Sequence, residues 1–105
     1  MIKQLQHGDV LLKRIDQLPL GIKPVQRQNG SLVIMDGEAT GHKHTITENS
    51  AKLWEIKGEM YLEVTGPVTI EHQEHKPLAV PSGIYRIGQV KEYDYFQQME
   101  RKVQD

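Results

Sequence analysis

The chain has no cysteine. Disulfides, thiolate metal sites and a cysteine nucleophile are therefore excluded, and any metal must be held by His, Asp or Glu. It also has no long hydrophobic run. Nothing approaches the roughly 20 apolar residues of a membrane span, and residues 1–14 lack the apolar stretch and cleavage site of a secretory signal. Charge of neither sign dominates: the formal net charge is −1, and no run of basic residues exceeds the pair Arg101–Lys102. No basic surface is set up for a nucleic-acid backbone. The expectation is a cytoplasmic protein with neither a membrane nor a nucleic acid as partner. A P-loop and a G-x-S-x-G elbow are also missing, and His7, Asp9 and Ser31 form no recognisable triad.

What remains is a chain of 105 residues, one domain's worth (residues 1–105). Apolar residues make up 37% and net charge is near zero, the reverse of the disordered signature. Four of the five histidines fall in two tight clusters, Gly41-His42-Lys43-His44 and His72-Gln73-Glu74-His75. Neutral imidazole is the commonest protein ligand for transition metals and changes charge near neutral pH. The clusters therefore mark a metal or acid–base site.

Turn residues divide the chain into short β-rich runs. His7-Gly8-Asp9 is a turn before Val10–Ile15. Ile22–Gln26 leads to Asn29-Gly30, a strong hairpin signal, with Ser31–Met35 as the expected partner strand. Further runs are His42–Thr47, Ala51–Ile56, Met60–Val64, Val68–His72, Leu78–Val80 and Ile84–Val90. Turn signals about every ten residues predict an all-β fold, a small antiparallel barrel or sandwich. The C-terminus predicts a short helix packed on the sheet. Asp94 caps it, Gln97 stands three residues on, and Phe96, Met99 and Val103 form one apolar stripe.

Strand parity orders the histidines. Residues i and i+2 point the same way, so His42, His44 and Ile46 share a face, as do Val68, Ile70 and His72. In both segments histidine continues an apolar row, which places His42, His44 and His72 at the rim of the core. Three residues after His72, His75 turns to the opposite face unless the strand ends or bulges. Lys76-Pro77 marks such an end. If His75 lies in a turn it swings back toward the others; if the strand continues, Glu74 takes the inward place. Glu48, on the face of His44, is a further candidate ligand. By the same alternation one of Tyr85 and Arg86 faces inward: Arg86 there would be a candidate anion binder, Tyr85 there ordinary packing, and the latter is the favoured expectation.

HxH at a strand end is also seen in metal-dependent amidohydrolases, but their barrel needs roughly 250 residues. His72–His75 is one residue short of the inverted zincin pattern H-x-x-E-H, and its segment does not read as a helix. Gly37, His42, His44 and Glu48 form G-x4-H-x-H-x3-E. This resembles the first motif of the cupin superfamily, with one residue fewer before the first histidine and Glu55 where the closing glycine would stand. Pro81-Ser82-Gly83 is similar to the P-x-G of the second cupin motif, and Arg86 occupies the place of the fourth ligand. The resemblance spans about half the chain. It implies a small double-stranded β-helix barrel with His42, His44 and Glu48 as ligands at its mouth, and His72 or His75 in place of the residue lost at Arg86. The same segments also resemble small bacterial proteins of undefined function.

The expected function is a cupin-like module that binds a small molecule or a divalent transition metal (Zn, Mn, Fe or Ni). Its metal ligands are drawn from His42, His44, His72, His75 and Glu48. No acid–base pair is placed for catalysis. The alternative is an interaction or structural module, expected as a homodimer, whose histidines make hydrogen bonds.

Overall fold

A computed structural model describes residues 3–35 and 43–89. Among them are ten strands and no helix: β1 (Gln4–His7), β2 (Val10–Ile15), β3 (Lys23–Val25), β4 (Leu32–Met35), β5 (His44–Ile46), β6 (Ala51–Ile56), β7 (Glu59–Val64), β8 (Val68–His72), β9 (His75–Val80) and β10 (Gly83–Gln89). The expected C-terminal helix and His42 lie outside the described residues. The strands form two antiparallel sheets, one of six in the order β1-β2-β10-β7-β6-β3 and one of four in the order β4-β5-β8-β9.

Period-2 patterning explains the layering. In β6 and β7 the opposed pairs Ala51–Val64 and Leu53–Leu62 point inward, and all four residues are buried. Leu12 and Tyr85 extend that row in β2 and β10, while Leu32, Ile34, Ile46, Val68, Ile70 and Val80 supply the facing row from the four-stranded sheet; together they make one hydrophobic core. Tyr85 is buried and donates to the Pro81 carbonyl at 2.7 Å. Arg86, on the other face, is exposed and pairs with Glu59 at 2.9 Å.

Tight turns set the registers. Lys57 and Gly58 both have positive φ (51° and 81°), as the type I′ hairpin between β6 and β7 requires. Asn29 and Gly30 do the same (51° and 83°), and Gln28 and Ser31 exchange both backbone hydrogen bonds across them. This turn does not join paired strands, however. Only the isolated bridge Gln28–Ser31 forms; β3 then pairs with β6 and β4 with β5. Arg27 explains the divergence. Its guanidinium donates to the carbonyls of Gly30 (2.9 Å), Glu48 (2.6 Å) and Ala51 (3.1 Å), fastening the turn to the β5–β6 corner.

Candidate functional site: a histidine cluster where the sheets meet

Two polar side chains are buried among the described residues, His7 and His44, at 4% and 1% exposure. Both face the core for reasons of register. His44 and Ile46 alternate inward in β5, with burial B-i-B along His44–Ile46. His7 lies directly opposite Val10 across the two-residue turn Gly8-Asp9, so it shares the inward face of Val10 and Leu12. Gly8 has φ 60° while Asp9 is not in the positive region, the pattern of a type II′ turn with glycine first.

The second pair arises from a turn that parity alone does not reveal. Gln73 and Glu74 form a two-residue turn, and His72 and His75 become direct cross-strand partners. Residues opposed in a ladder share a face, so His75 joins His72 without Glu74 replacing it. The strand does not stop at Lys76-Pro77, which lies within β9. That is an edge strand, where a missing N–H is tolerated. The register shifts between Ile70 and His72, and a second shift falls between Val33 and Met35, next to His44. Irregularities of this kind re-aim side chains beside functional sites.

The four rings are closely grouped. Ring centroids are 5.0 Å apart for His7–His44, 4.4 Å for His44–His72, 4.6 Å for His72–His75, 5.7 Å for His7–His75 and 6.0 Å for His44–His75. A hydrogen-bonded chain runs through the buried pair. His7 Nε2 meets the Lys76 carbonyl at 2.8 Å, His7 Nδ1 meets His44 Nδ1 at 2.9 Å, and His44 Nε2 meets Asp9 Oδ1 at 3.1 Å. Gln89 donates to the other Asp9 oxygen at 3.2 Å. His72 Nδ1 accepts the Glu74 N–H at 3.0 Å. Among the described residues His75 is exposed and makes no hydrogen bond through either ring nitrogen.

Electrostatics disfavour a charge on His44 and favour one on Asp9. Burial pushes His44 below its usual pKa. Repulsion from His72 and His7 adds to that, and the opposing pull of Asp9 does not reverse it. For Asp9, burial acts upward, but bonds from Gln89, its own backbone and His44 outweigh it and hold the carboxyl below its usual value.

Proton positions follow. The Lys76 carbonyl can only accept, so His7 Nε2 carries a hydrogen; ionised Asp9 can only accept, so His44 Nε2 carries one too. A neutral imidazole has one N–H. Were both rings neutral, the two Nδ1 lone pairs would face each other at 2.9 Å, so the contact is closed either by a third ring proton or by a metal ion. Each ring's outer N–H already rests on a backbone carbonyl or a carboxylate, the usual outer-shell support of metal-binding histidines.

The predicted candidates separate accordingly. His44, His72 and His75 come together. Glu48 is engaged elsewhere, its Oε2 accepting the Thr69 N–H at 2.9 Å beneath Arg27. Sequence reasoning missed His7 and Asp9. The readable signal was the Gly8-Asp9 turn, which makes His7 the cross-strand neighbour of an apolar inward position. Among the described residues no three His, Asp or Glu side chains converge as a ready metal cage.

Residues 6–89 match the model of a family described as a domain of unknown function, DUF8820. The matched span contains His7, Gly8, Asp9, His44, His72, His75 and Gln89. No curated protein and no solved structure matches the chain.

Proposed function

The chain belongs to the DUF8820 family, a membership that assigns no activity, so its own chemistry must supply one, and we propose that it is a metal-binding domain whose site is built on the Nδ1 atoms of His7 and His44. The observation behind this is the approach of those two atoms, 2.9 Å apart with both outer nitrogens already supported. Two imidazole nitrogens bonded at roughly 2.0–2.1 Å to a tetrahedral ion lie roughly 3.3 Å apart, so an opening of a few tenths of an ångström accommodates one. His75 is the natural third ligand because its nitrogens are uncommitted; His72 stands beside it. An all-imidazole set suits Zn and Ni better than Mn, which favours oxygen donors. In this reading the two sheets form a small sandwich with the site at one end. The cupin resemblance likewise implies ligands at a barrel mouth, with Glu48 where this reading has His7 and its support Asp9.

The histidines and Asp9 are acid–base groups, but no substrate is placed against them, so this reading puts metal binding ahead of catalysis. A small-molecule ligand would enter as an additional donor to the ion. Metal analysis of the purified, untagged protein tests the proposal. One equivalent of zinc or nickel, lost in the His7→Ala/His44→Ala double variant, is the expected result. No metal, and no thermal shift with Zn or Ni, would sink it.

One observation favours a second reading. The bond from His7 Nε2 to the Lys76 carbonyl ties β1 to β9, the edges of the two sheets. Histidines used this way would make a structural or interaction module, and the null result of the same metal analysis would leave that reading standing.

A further inference from the structure

We propose that Gly8 is the positioning residue that admits His75 to the metal site, an inference that rests on the metal-binding reading. A methyl group placed on Gly8 would lie 2.6 Å from His75 Nε2, 2.9 Å from His75 Cδ2 and 3.2 Å from His44 Cε1. The His75 ring therefore sits on the bare Cα of the β1–β2 turn, edge on to the backbone, in the space that any side chain would fill. The first distance is shorter than real Cβ contacts allow, so either the turn or the imidazole must move. The turn is held: the Gln6 side chain donates to the Gly8 carbonyl at 3.0 Å, His7 and Val10 close the ladder on either side, and Asp9 is bonded to both His44 and Gln89. The exposed imidazole is the part that yields.

The seat selects one ring. His7 lies on the turn's own strand and His44 makes only its outer contact with the position, through a carbon rather than a nitrogen. His75 alone presents a nitrogen there. With Gly8 the domain offers three imidazoles within 6.0 Å of one another by centroid, His7, His44 and His75. With a side chain at position 8 it offers the His7–His44 pair and pushes His75 outward.

Positive φ complicates any substitution here, and the chain supplies its own control. Gly30 also has positive φ (83°), but a Cβ there would meet nothing within 4 Å. Gly30→Ala thus shows what a methyl group at a positive-φ turn does to zinc binding without touching the cluster, and the His75→Ala background isolates the part of the Gly8→Ala effect that runs through His75.

The test compares wild type, Gly8→Ala, His75→Ala, the double variant and Gly30→Ala by calorimetric titration with Zn²⁺. Loss of a ligand or its positioning partner weakens a metal site by roughly 10- to 100-fold. That loss is expected for Gly8→Ala and for His75→Ala, with no further loss in the double variant and none in Gly30→Ala. Equal weakening by Gly8→Ala with and without His75 overturns the inference while leaving the metal reading intact. A wild type that binds no zinc removes the metal reading, and the ligand role of His75 with it. Should Gly8→Ala be too unstable to titrate, His75→Ala decides: zinc affinity unchanged in that variant overturns the inference.

Discussion

At the scale of residues, the cluster behaves as a proton-counting problem. Three contacts need three ring hydrogens, and two neutral imidazoles hold two. Asp9 decides where they go. In the Asp9→Asn variant the side-chain oxygen can still accept from His44, but the charge that fixes the Nε2 hydrogen is gone. We expect zinc affinity to fall by roughly 10- to 100-fold with the fold retained, read by titration alongside circular dichroism. The same two groups give the domain an acid-sensitive stability. His44 is held below its usual pKa, so between the unfolded and folded values the unfolded chain binds more protons, and stability falls as pH falls. It should be fully present above about pH 6.5, the usual histidine value, and decline below it. Asp9, also lowered, adds a second loss below its usual carboxylate value. Denaturant midpoints measured from pH 8 to pH 4 should show this decline, and His44→Gln should flatten its upper part. A midpoint that rises on acidification would contradict the assigned direction.

At the scale of elements, the fold was readable wherever alternation or a glycine turn governed it. The inward placing of His44 with Ile46 and of Tyr85 rather than Arg86 is observed, whereas His72 is half-buried and a register shift separates it from Ile70. Two kinds of information were not local. Whether His75 faces His72 depends on where the chain reverses, and Gln73-Glu74 carries no glycine or proline to announce a turn. Whether Asn29-Gly30 joins paired strands depends on Arg27, a basic residue whose role is to satisfy carbonyls some twenty positions away. Hydrogen bonds to charged groups are worth roughly 1.5–3 kcal/mol, so Arg27→Ala should cost about 2–3 kcal/mol of unfolding free energy without weakening zinc binding, a separation that denaturation and titration together would reveal. Glu48 belongs to the same corner. Its resemblance to a cupin ligand came from spacing, and spacing does not register the Thr69 N–H that engages it.

At the scale of the whole molecule, the core and the site are separable. Leu62 is fully buried at the centre of the six-stranded sheet, and Leu62→Ala should cost about 2–5 kcal/mol by denaturant unfolding, with or without metal. Metal, in turn, should stabilise the folded chain by mass action, by about 2.7 kcal/mol when free ion is 100 times the dissociation constant. A scan of thermal midpoint against zinc concentration checks this, and the dependence should vanish in the His7→Ala/His44→Ala variant.

The bond from His7 to Lys76 and the contact between His7 and His44 join positions 69 and 37 residues apart, and Gln89 reaches Asp9 across 80. Closing such loops is slow, while the β6–β7 and β8–β9 hairpins are local and need not wait for it. We expect the cluster to come into register late, after the folding barrier, an order that folding and unfolding rates measured with and without zinc would test. An ion bound there would act on escape from the native state rather than on arrival, lengthening the lifetime of the folded chain while leaving its rate of formation nearly unchanged.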